Sequence, residues 1–576
     1  MRFSPALIIC ALVCTACSAS AHPDPTPQLA GGLPPIAGLD VLRGGSAVLD
    51  ADAVVFAPLA RANTSGSGSG LSLDAASAGQ LSYALYRIPV PDGTLQVASA
   101  DGDGELWLLA ADYGKGRWTD PVQFASSTAQ VDLGAITPAS PAGYLYFAIV
   151  ASPGQAGLLR RLHITYDAAA SNGSTYYVSN SGNDGADGSQ GTPWLTLQHA
   201  ADTVEFGDTV IALPGTYTGF WLQTSGTAGH PITFEGTGAT INVEGFHNLD
   251  GINLENYGSD GSIRYVTING FTVTGMARTG IRAVGNDTDF AHYITITNCT
   301  LDNNATWGIL TGHVDDLLVQ GNTCSHSGTQ HGIYLSNSGD RNVARGNTCF
   351  GNAGCGLQFN ADASQGADGN MTDALVEDNV FYDNGSLGGS ALNTDGLARA
   401  VIRNNLIYGN HAGGIVIYNF DGVNSHDNLV VNNTVIMAAN GRWCVNINSG
   451  STGNRLYNNI FYNYHPTHGI VTIDASSLNG FESDYNCVMD RFTTDDETNI
   501  LTLAQWQAQY GFDMHSVMGT PDALFVDAAG GNYQLQGDSA ALDIGLASIA
   551  PPLDIGGILR PQGGGVDMGC YELPLP

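Results

Sequence analysis

Lysine is almost absent from this chain, because Lys115 is the only one among 576 residues. Acidic residues outnumber basic ones by 53 to 19, and the formal net charge is −34 at pH 7. Such an acidic protein repels nucleic acids and anionic membranes, so neither is expected as a partner. An anionic polysaccharide is repelled as well, unless arginines or bridging cations offset the charge.

Long apolar segments are missing after the N-terminus, and no transmembrane segment is predicted. The first 21 residues have the composition of an export signal, with Arg2 ahead of the apolar stretch 6–13. Two processing sites compete there: cleavage after Ala21, and a lipoprotein box that would place a lipid anchor on Cys17. The protein is therefore predicted to be an exported monomer, either secreted or periplasmic, or an outer-membrane lipoprotein.

One pattern recurs seven times: a short apolar strand, an asparagine, another apolar residue and a polar turn. The asparagines, spaced by 24 to 32 residues, are Asn298, Asn322, Asn347, Asn379, Asn405, Asn433 and Asn459. A period of this size indicates a solenoid, and segments so short and so rich in Gly, Asn, Thr and Val predict one turn of a parallel β-helix per repeat. The asparagine amides are expected to stack and to bond to one another from turn to turn.

Strand alternation around these asparagines predicts two columns of side chains. Cys324 and Cys349, each two residues after an asparagine, should point inward on adjacent turns, as stacked apolar side chains or as a disulfide. Arg345, Glu377 and Arg403, each two residues before an asparagine, should point outward and form an ion ladder on the surface.

Composition and pattern divide the chain into five segments and predict an all-β protein. Residues 1–21 are the export or lipoprotein signal, 22–44 are a Pro- and Gly-rich linker, and 45–170 alternate short strands with turns. The third segment predicts a small antiparallel β-sandwich, an accessory domain. Residues 175–490 are predicted to form a parallel β-helix, right-handed by the general rule for parallel crossovers, and 491–576 a C-terminal cap.

Three segments at the start of the solenoid carry a family resemblance. They are Tyr176-Tyr-Val-Ser-Asn-Ser-Gly, Thr192-Pro-Trp-Leu-Thr-Leu-Gln-His-Ala-Ala and Gly207-Asp-Thr-Val-Ile-Ala-Leu-Pro-Gly-Thr-Tyr. Together with the asparagine repeats, they closely resemble exported right-handed parallel β-helix proteins of the pectate-lyase-like superfamily. The resemblance implies a helix around residues 195–204 that covers the first coil, and a polysaccharide as the partner. It is specific for the fold and weak for the reaction.

A functional face is predicted on the strand that follows each Gly-Ile marker, where outward positions carry groups that suit sugars. The predicted substrate-binding residues are Gln358, Asn360, Thr394, Tyr418 and Asn446. The predicted catalytic residues, on the same face or in the turns beside it, are Arg282, His331, Tyr334, Asp362, Asp395 and Asp421.

Three functions fit this face. The first is a lyase that cleaves a uronic-acid glycan by β-elimination; the solenoid has no lysine, so Arg278, Arg282, Arg341, or His331 with Tyr334, would have to serve. The second is a glycoside hydrolase with paired Asp residues. The third is a glycan-binding or adhesin-like solenoid without chemistry. Epimerisation at C5 is less favoured, because the Asp-Pro-His-Asp motif of bacterial mannuronan epimerases is absent.

Calcium is the predicted cofactor. The pectate-lyase-like families commonly use Ca²⁺. This chain is rich in Asp, the environment outside the cytoplasm supplies calcium, and a net charge of −34 opposes an anionic glycan unless a cation bridges the two. Asp362, Asp395 and Asp421 are the predicted ligands, provided that the turns bring their oxygens within bonding range of one ion.

Overall fold

The computed structural model describes residues 46–574, with gaps at 51–59, 63, 68–69, 74–81, 90–92, 113–116, 120, 125–127, 139–143, 152–155, 169–172, 246–248, 257–260, 424 and 496–497. The predicted signal, the linker and Cys17 lie outside the described residues. The chain divides into two compact units, residues 1–171 and 172–576. Within the described ranges, no helix combines the length and the apolar composition that crossing a membrane requires.

The first unit contains two antiparallel sheets. One has the spatial order Thr128–Asp132, Gly93–Gly104, Gly157–Ala168, Gly70–Leu73 and Thr64–Ser67, with Ser46–Asp50 beside Gly157–Ala168. The other has the order Ala60–Ala62, Ser82–Pro89, Tyr144–Ala151, Leu106–Asp112 and Arg117–Trp118, with Val122–Gln123 beside Leu106–Asp112. Leu162 of one sheet and Phe147 of the other share one buried core, so the predicted β-sandwich is confirmed.

The second unit is a parallel β-helix built from three long sheets. Sheet 1 contains Thr175–Val178, Thr209–Ala212, Ile232–Glu235, Arg264–Asn269, Ala291–Thr297, Val314–Asp315, Leu318–Gln320, Val343–Arg345, Leu375–Glu377, Val401–Arg403, Leu429–Val431, Arg455–Tyr457 and Glu482–Asp484. Sheet 2 contains Gly215–Thr218, Ala239–Val243, Thr272–Thr274, Thr300–Asp302, Thr323–Ser325, Thr348–Phe350, Val380–Tyr382, Leu406–Tyr408, Thr434–Met437, Ile460–Asn463, Cys487–Val488 and Val517–Met518. Sheet 3 contains Phe220–Leu222, Ile252–Leu254, Thr279–Val284, Trp307–Gly312, Ile333–Ser336, Leu357–Asn360, Ser390–Asp395, Gly413–Tyr418, Val445–Ile447, Val471–Ile473 and Phe492–Thr493.

The asparagine ladder runs along the corner between sheets 1 and 2. In each ladder residue from Asn322 to Asn459, the Nδ2 group donates to the Oδ1 atom of the next coil at 2.9–3.1 Å. The same Oδ1 atom also accepts the backbone N–H of the preceding ladder residue. These buried amides satisfy each other, as buried polar groups must, and Asn486 extends the ladder by one coil.

The prediction for Asn298 is wrong by one residue. Cys299 occupies the ladder position there, because its backbone N–H donates to Asn322 Oδ1 at 2.9 Å. Asn298 is exposed and has φ 53°, and it makes the left-handed bend just before the ladder position. Asn404 makes the same bend with φ 54° before Asn405. Asparagine tolerates the left-handed region, so one residue type suits two adjacent positions.

A second ladder lies five residues further along the chain. Asn352 Nδ2 donates to Asn384 Oδ1 at 2.8 Å, and Asn384 Nδ2 donates to Asn410 Oδ1 at 3.0 Å. The recurrent Asn-x-x-x-x-Asn spacing, as in Asn347 and Asn352, was the sequence signal for this ladder. Two parallel ladders therefore bracket sheet 2 in these coils.

Replacing Asn405 with leucine is expected to lower the free energy of unfolding by about 3 kcal/mol, because several buried groups lose a partner at once. Asn405 Nδ2 donates to Val376 O and Asn433 Oδ1, both at 2.9 Å, and its Oδ1 atom accepts from Asn379. Denaturant unfolding measures the effect. The matched control is Asn298→Gly, which keeps the left-handed bend and removes one exposed side chain. Equal midpoints for the two variants would contradict the role of the ladder.

The predicted pairing of Arg345, Glu377 and Arg403 on sheet 1 is confirmed, whereas the central carboxylate is buried rather than exposed at the surface. Glu377 is almost fully buried and pairs with Arg403 at 2.6 Å and with Arg345 on its other side. The next residue, Asp378, has φ 59° and an Oδ1 atom that is buried without a hydrogen-bond partner in the described structure. Burial, and then the charge of Glu377, raise the pKa of Asp378 to about 6.

Asp378→Asn is expected to stabilise the protein above pH 6 by up to about 3 kcal/mol, the free energy that corresponds to raising the pKa of this carboxyl from its ordinary value to about 6. A carboxyl whose folded pKa is raised costs nothing below its unfolded pKa, and it destabilises progressively as pH rises through the folded pKa. The gain should therefore vanish near pH 4. Unfolding at several pH values tests this, with the exposed Asp522→Asn as control; a gain independent of pH would contradict it.

Helices close both ends of the solenoid. The helix Leu197–Thr203 begins at Thr196, whose side chain accepts from His199 N, and it buries Leu197 in the solenoid core. The helix Leu503–Tyr510 carries a capping box formed by Thr502 and Gln505, and it places the fully buried Trp506 against Phe492. Both apolar ends of the core are therefore covered.

The tail after this helix does not stay at the end of the solenoid but lies along its side. It contains the short helix Pro521–Leu524 and the antiparallel strands Phe525–Asp527 and Asn532–Leu535, which pack on the outer surface of sheet 2. Three successive bend residues donate to tail carbonyls: Asn404 to Leu553, Asn432 to Asp567 and Gly569, and Asn458 to Leu546.

The described cysteines are buried and free. Cys324 and Cys349 face inward at paired positions of adjacent coils, as predicted. They act as stacked apolar side chains, and the disulfide alternative is not formed.

Candidate functional site

The outward positions of sheet 3 form two columns along the solenoid axis, and their surface is the groove face. The first column contains Arg282, Leu310, Tyr334, Gln358, Asn393, Val416 and Asn446. The second contains Ser336, Asn360, Asp395 and Tyr418. Seven predicted site residues thus lie in these columns: Arg282, Tyr334, Gln358, Asn360, Asp395, Tyr418 and Asn446.

The prediction for Thr394 is wrong, because its side chain points into the core and is fully buried. The register aligns Gln358 with Asn393 and places Leu392 and Thr394 inward. This coil lacks a Gly-Ile marker, and a longer turn with Gly388 and Gly389 precedes it. A one-residue error in register moves every side chain of a strand to the opposite face.

A groove of about 220 Å³ opens at the C-terminal part of this face. Its lining contains Gly389, Ser390, Asn393, Gly413, Val416, Tyr418, Arg442, Trp443, Asn446 and Asn448. Gly413 has no side chain to fill this groove. A Cβ atom added there would lie only 2.7 Å from Ser390 Oγ and from Val416 Cγ2. The lining combines amides, a phenol and one cation, which are groups that orient sugars through hydrogen bonds.

Arg442 is the cation of this groove. It is exposed, and in the part of the chain that the structure describes its guanidinium forms no ion pair. Arg282, the predicted cation, is instead held by Glu255 and by Asn253 Oδ1 at 3.0 Å, with little of its side chain exposed. The charge of Arg282 is thus offset by Glu255, and its catalytic role stays a prediction.

Tyr418 lines the groove with its phenol. Asn393 Nδ2 donates to its hydroxyl oxygen at 3.0 Å, so the hydroxyl proton itself is not consumed by this bond. Burial, followed by the charge of Asp395, raises the pKa of Tyr418. The phenol therefore stays protonated at neutral pH.

Tyr334 repeats the arrangement further along the face. Asn360 Nδ2 donates to its hydroxyl oxygen at 3.1 Å, and the ring stacks on Trp307 at 5.8 Å. Burial is the main cause that raises the pKa of Tyr334, and the charges of Asp362 and nearby acids raise it further. Two Tyr–Asn pairs thus lie on one surface, and together they cover four consecutive coils.

His331 is not suited to be the predicted base. Burial lowers its pKa to about 4, so the ring is neutral at pH 7. Its Nδ1 atom accepts the backbone N–H of Cys355 at 2.9 Å. The Nε2 atom of this tautomer carries the proton, and the ring has no free nitrogen lone pair to accept another.

Asp395 is a structural residue. It is fully buried, and its carboxylate accepts three backbone N–H groups of the next turn: Phe420 at 2.8 Å, Asp421 at 2.8 Å and Gly422 at 3.1 Å. Burial raises the pKa of Asp395, although these donors oppose the effect. The carboxylate fixes the turn that carries Asp421, and the prediction that it acts in catalysis is wrong because it is sealed from substrate.

Asp362 and Asp421 lie side by side on the rim of the groove face, since Ala363 N donates to Asp421 O at 3.1 Å. Asp362 accepts Ser364 N at 2.8 Å, and hydrogen bonds from Ser364 lower the pKa of Asp362. Asp421 is exposed, and among the described residues its carboxylate has no hydrogen-bond partner. Asp421 thus has both carboxylate oxygens without a hydrogen-bond partner in the described structure, whereas Asp362 accepts one hydrogen bond and Asp395 accepts three.

The three predicted calcium ligands do not form a common site. The oxygens of Asp395 are occupied by backbone donors, and Asp362 caps a turn. Within the described ranges, no group of three or more His, Cys, Asp or Glu residues is arranged to hold a metal ion. These residues do not fit the predicted ion.

Two candidate functional residues, Asn393 and Arg442, were not predicted from the sequence. Asn393 was hidden by the register error at Thr394. Arg442 precedes its strand by three positions and lies outside the alternating pattern, so only the Gly441-Arg442-Trp443 turn marked it. No sequence signal distinguishes an unpaired arginine from a paired one.

A family model described as "Right handed beta helix region" matches residues 250–435. The predicted right-handed parallel β-helix is therefore confirmed. No curated protein matches the chain.

Solved structures with similar architecture include enzymes that act on glycans. The pectate lyase Pel9A has a TM-score of 0.42 and 16% identity, over 69% of this chain and 96% of its own. An alginate lyase from Paenibacillus sp. str. FPU-7 has a TM-score of 0.34 and 19% identity, over 52% of this chain and 97% of its own. The A-module of the Azotobacter vinelandii mannuronan C-5 epimerase AlgE4 has a TM-score of 0.35 and 18% identity, over 60% of this chain and 87% of its own. At these values the likenesses carry no argument about the reaction.

Proposed function

We propose that this right-handed β-helix protein is an exported lyase that cleaves a uronate-containing polysaccharide by β-elimination. The observation that carries the proposal is one groove that contains Tyr418 and Arg442, a cation without an ion pair among the described residues, together with Asp421, whose charge acts on Tyr418. A positive charge, a proton donor and a base are the three groups that the reaction needs.

Arg442 would bind the uronate carboxylate and offset the negative charge that develops when the adjacent ring proton is removed. Its planar fork of donors matches a carboxylate. Because this groove excludes part of the solvent, the attraction is stronger than it would be in water. Asn393, Asn446 and Asn448 line the same groove and would bind the sugar hydroxyls.

Asp421 would take the proton from C5, and the electron pair of the C5–H bond would form the C4–C5 double bond. The C4–O bond to the leaving sugar breaks, and Tyr418 gives its proton to that oxygen. The products are one unsaturated chain end and one new reducing end, and no water is consumed. The raised pKa of Tyr418 keeps this donor protonated at neutral pH.

Hydrolysis by paired carboxylates has weaker support. It requires one carboxylic acid with a raised pKa that reaches the glycosidic oxygen. The raised pKa belongs to Asp395, which is sealed by three backbone donors, whereas the pKa of Asp362 is lowered. The groove therefore supports a lyase better than a hydrolase.

Incubating the purified protein with a panel of uronate-containing and neutral polysaccharides tests the proposal. A lyase raises both the ultraviolet absorbance of unsaturated products and the number of reducing ends. Reducing ends without absorbance would identify a hydrolase, and retention on a polysaccharide gel with neither signal would identify a binding protein. Calcium remains a prediction, which EDTA followed by added Ca²⁺ tests in the same assay.

A further inference from the structure

Charge is distributed unevenly along the groove face. Arg442 lies at its C-terminal part, and toward the N-terminus the outward side chains of successive coils are neutral: Asn393, Gln358 and Tyr334. The next cation in this direction on the first column is Arg282, and Glu255 neutralises it. Several neutral coils therefore separate Arg442 from a second, already paired, arginine.

The rim beside the neutral coils is acidic. Asp362 and Asp421 stand there on adjoining segments, and their charges, after burial itself, raise the pKa of Tyr334. Their electrostatic influence thus reaches the surface over Tyr334. A second carboxylate bound there would be repelled by the same charges, and none of the described outward residues of these coils is a cation.

The coil spacing sets the scale of this pattern. Neighbouring strands of a sheet lie about 4.8 Å apart, which is close to the length of one sugar residue in an extended chain. A polymer along the solenoid axis would place one residue near Arg442 and the following ones over Asn393, Gln358 and Tyr334. The amide and phenol groups there, such as the Tyr334–Asn360 pair, suit hydroxyl groups.

We infer that the substrate is a heteropolysaccharide in which each uronate is flanked by neutral sugars, rather than a homopolymer of uronates. This inference rests on the proposed lyase function and adds the class of polymer. Arg442 would bind the carboxylate of one uronate. The acidic rim beside the neutral coils would repel the carboxylate of a second uronate in the adjoining sugar positions.

Initial rates on two pairs of polymers test the inference. Gellan and hyaluronan carry spaced uronates, whereas alginate and polygalacturonate carry one on every residue. The full-length protein should show kcat/KM at least tenfold higher on a member of the first pair than on either of the second. Equal or faster cleavage of a homopolymer would overturn the inference and leave the lyase function intact. If no polymer yields unsaturated product, the lyase function fails. Affinity electrophoresis then tests the inference by binding alone, and stronger retention by gels that contain the homopolymers would overturn it.

A charge variant provides the second measurement. Asp362→Asn keeps an acceptor for Ser364 N and removes one rim charge. The ratio of kcat/KM on polygalacturonate to that on gellan should rise about threefold or more, the scale expected for one charge near a protein surface. Asp522→Asn, an exposed change in the tail, should leave the ratio unchanged. An unchanged ratio in Asp362→Asn would overturn the repulsive role of the rim.

Discussion

Replacing Arg442 with alanine is expected to lower kcat/KM on a uronate polymer by about 10²–10³-fold, the scale for losing one group that stabilises developing charge. Arg442 is the unpaired cation of the groove, so no nearby group of the described lining replaces it. Arg442→Lys should recover part of the activity, because lysine restores the charge without the two-pronged geometry. The initial rate of unsaturated product measures both variants.

The matched control for this change is Arg455→Ala. Arg455 is a half-buried arginine of sheet 1, away from the groove face, and it aligns with Glu482. Its loss should leave kcat/KM near the wild-type value. Full activity in Arg442→Ala, with both variants folded by circular dichroism, would remove Arg442 from the reaction.

Tyr418→Phe is expected to reduce kcat by about 10²–10⁴-fold, the range for losing a general acid. The ring and its packing remain, so KM should change little, a separation that a purely structural residue would not produce. Because burial and Asp395 raise the pKa of Tyr418, wild-type kcat should persist to pH values above the ordinary tyrosine pKa and fall only when the phenol ionises.

Tyr408→Phe serves as the control for Tyr418→Phe. Tyr408 stacks on Tyr382 at 5.1 Å on the outer surface of sheet 2, remote from the groove lining. The Tyr408→Phe variant also removes one phenol hydroxyl group, but from a position that has no part in the proposed reaction. If both variants keep full kcat, a group other than Tyr418 donates the proton.

Periodicity predicted the solenoid well because buried positions recur with the coil. An inward asparagine must find amide partners above and below, and this physical demand appears in the sequence as a repeated residue. Asn298 was misplaced for an equally physical reason. The bend before the ladder also favours asparagine, and a single sequence does not separate the two demands where Cys299 takes the ladder position.

The site was harder to predict than the fold because it depends on contacts between coils. The alternation of side chains along a strand depends on where the strand begins. The longer turn before Ser390 shifts this start, so Asn393 rather than Thr394 lies on the groove face. The pairing of an arginine is decided by a residue one coil away, as Glu255 decides it for Arg282. Likewise, nothing in the sequence indicated that the carboxylate of Asp395 would be occupied. In the structure it accepts backbone N–H groups from the turn of the following coil.

The tail that lies along sheet 2 fixes the number of coils beneath it. It spans the bends at Asn404, Asn432 and Asn458, and among the described residues no tail hydrogen bond reaches a bend before Asn404. Loss of a coil between these bends would leave tail carbonyls without donors, whereas a whole coil gained or lost earlier leaves the tail in place. Tyr418 and Arg442 lie in the fixed coils, and Tyr334 and Gln358 lie in the variable ones. The length of polymer that the face contacts is thus free to change in evolution while the proposed chemistry stays in place.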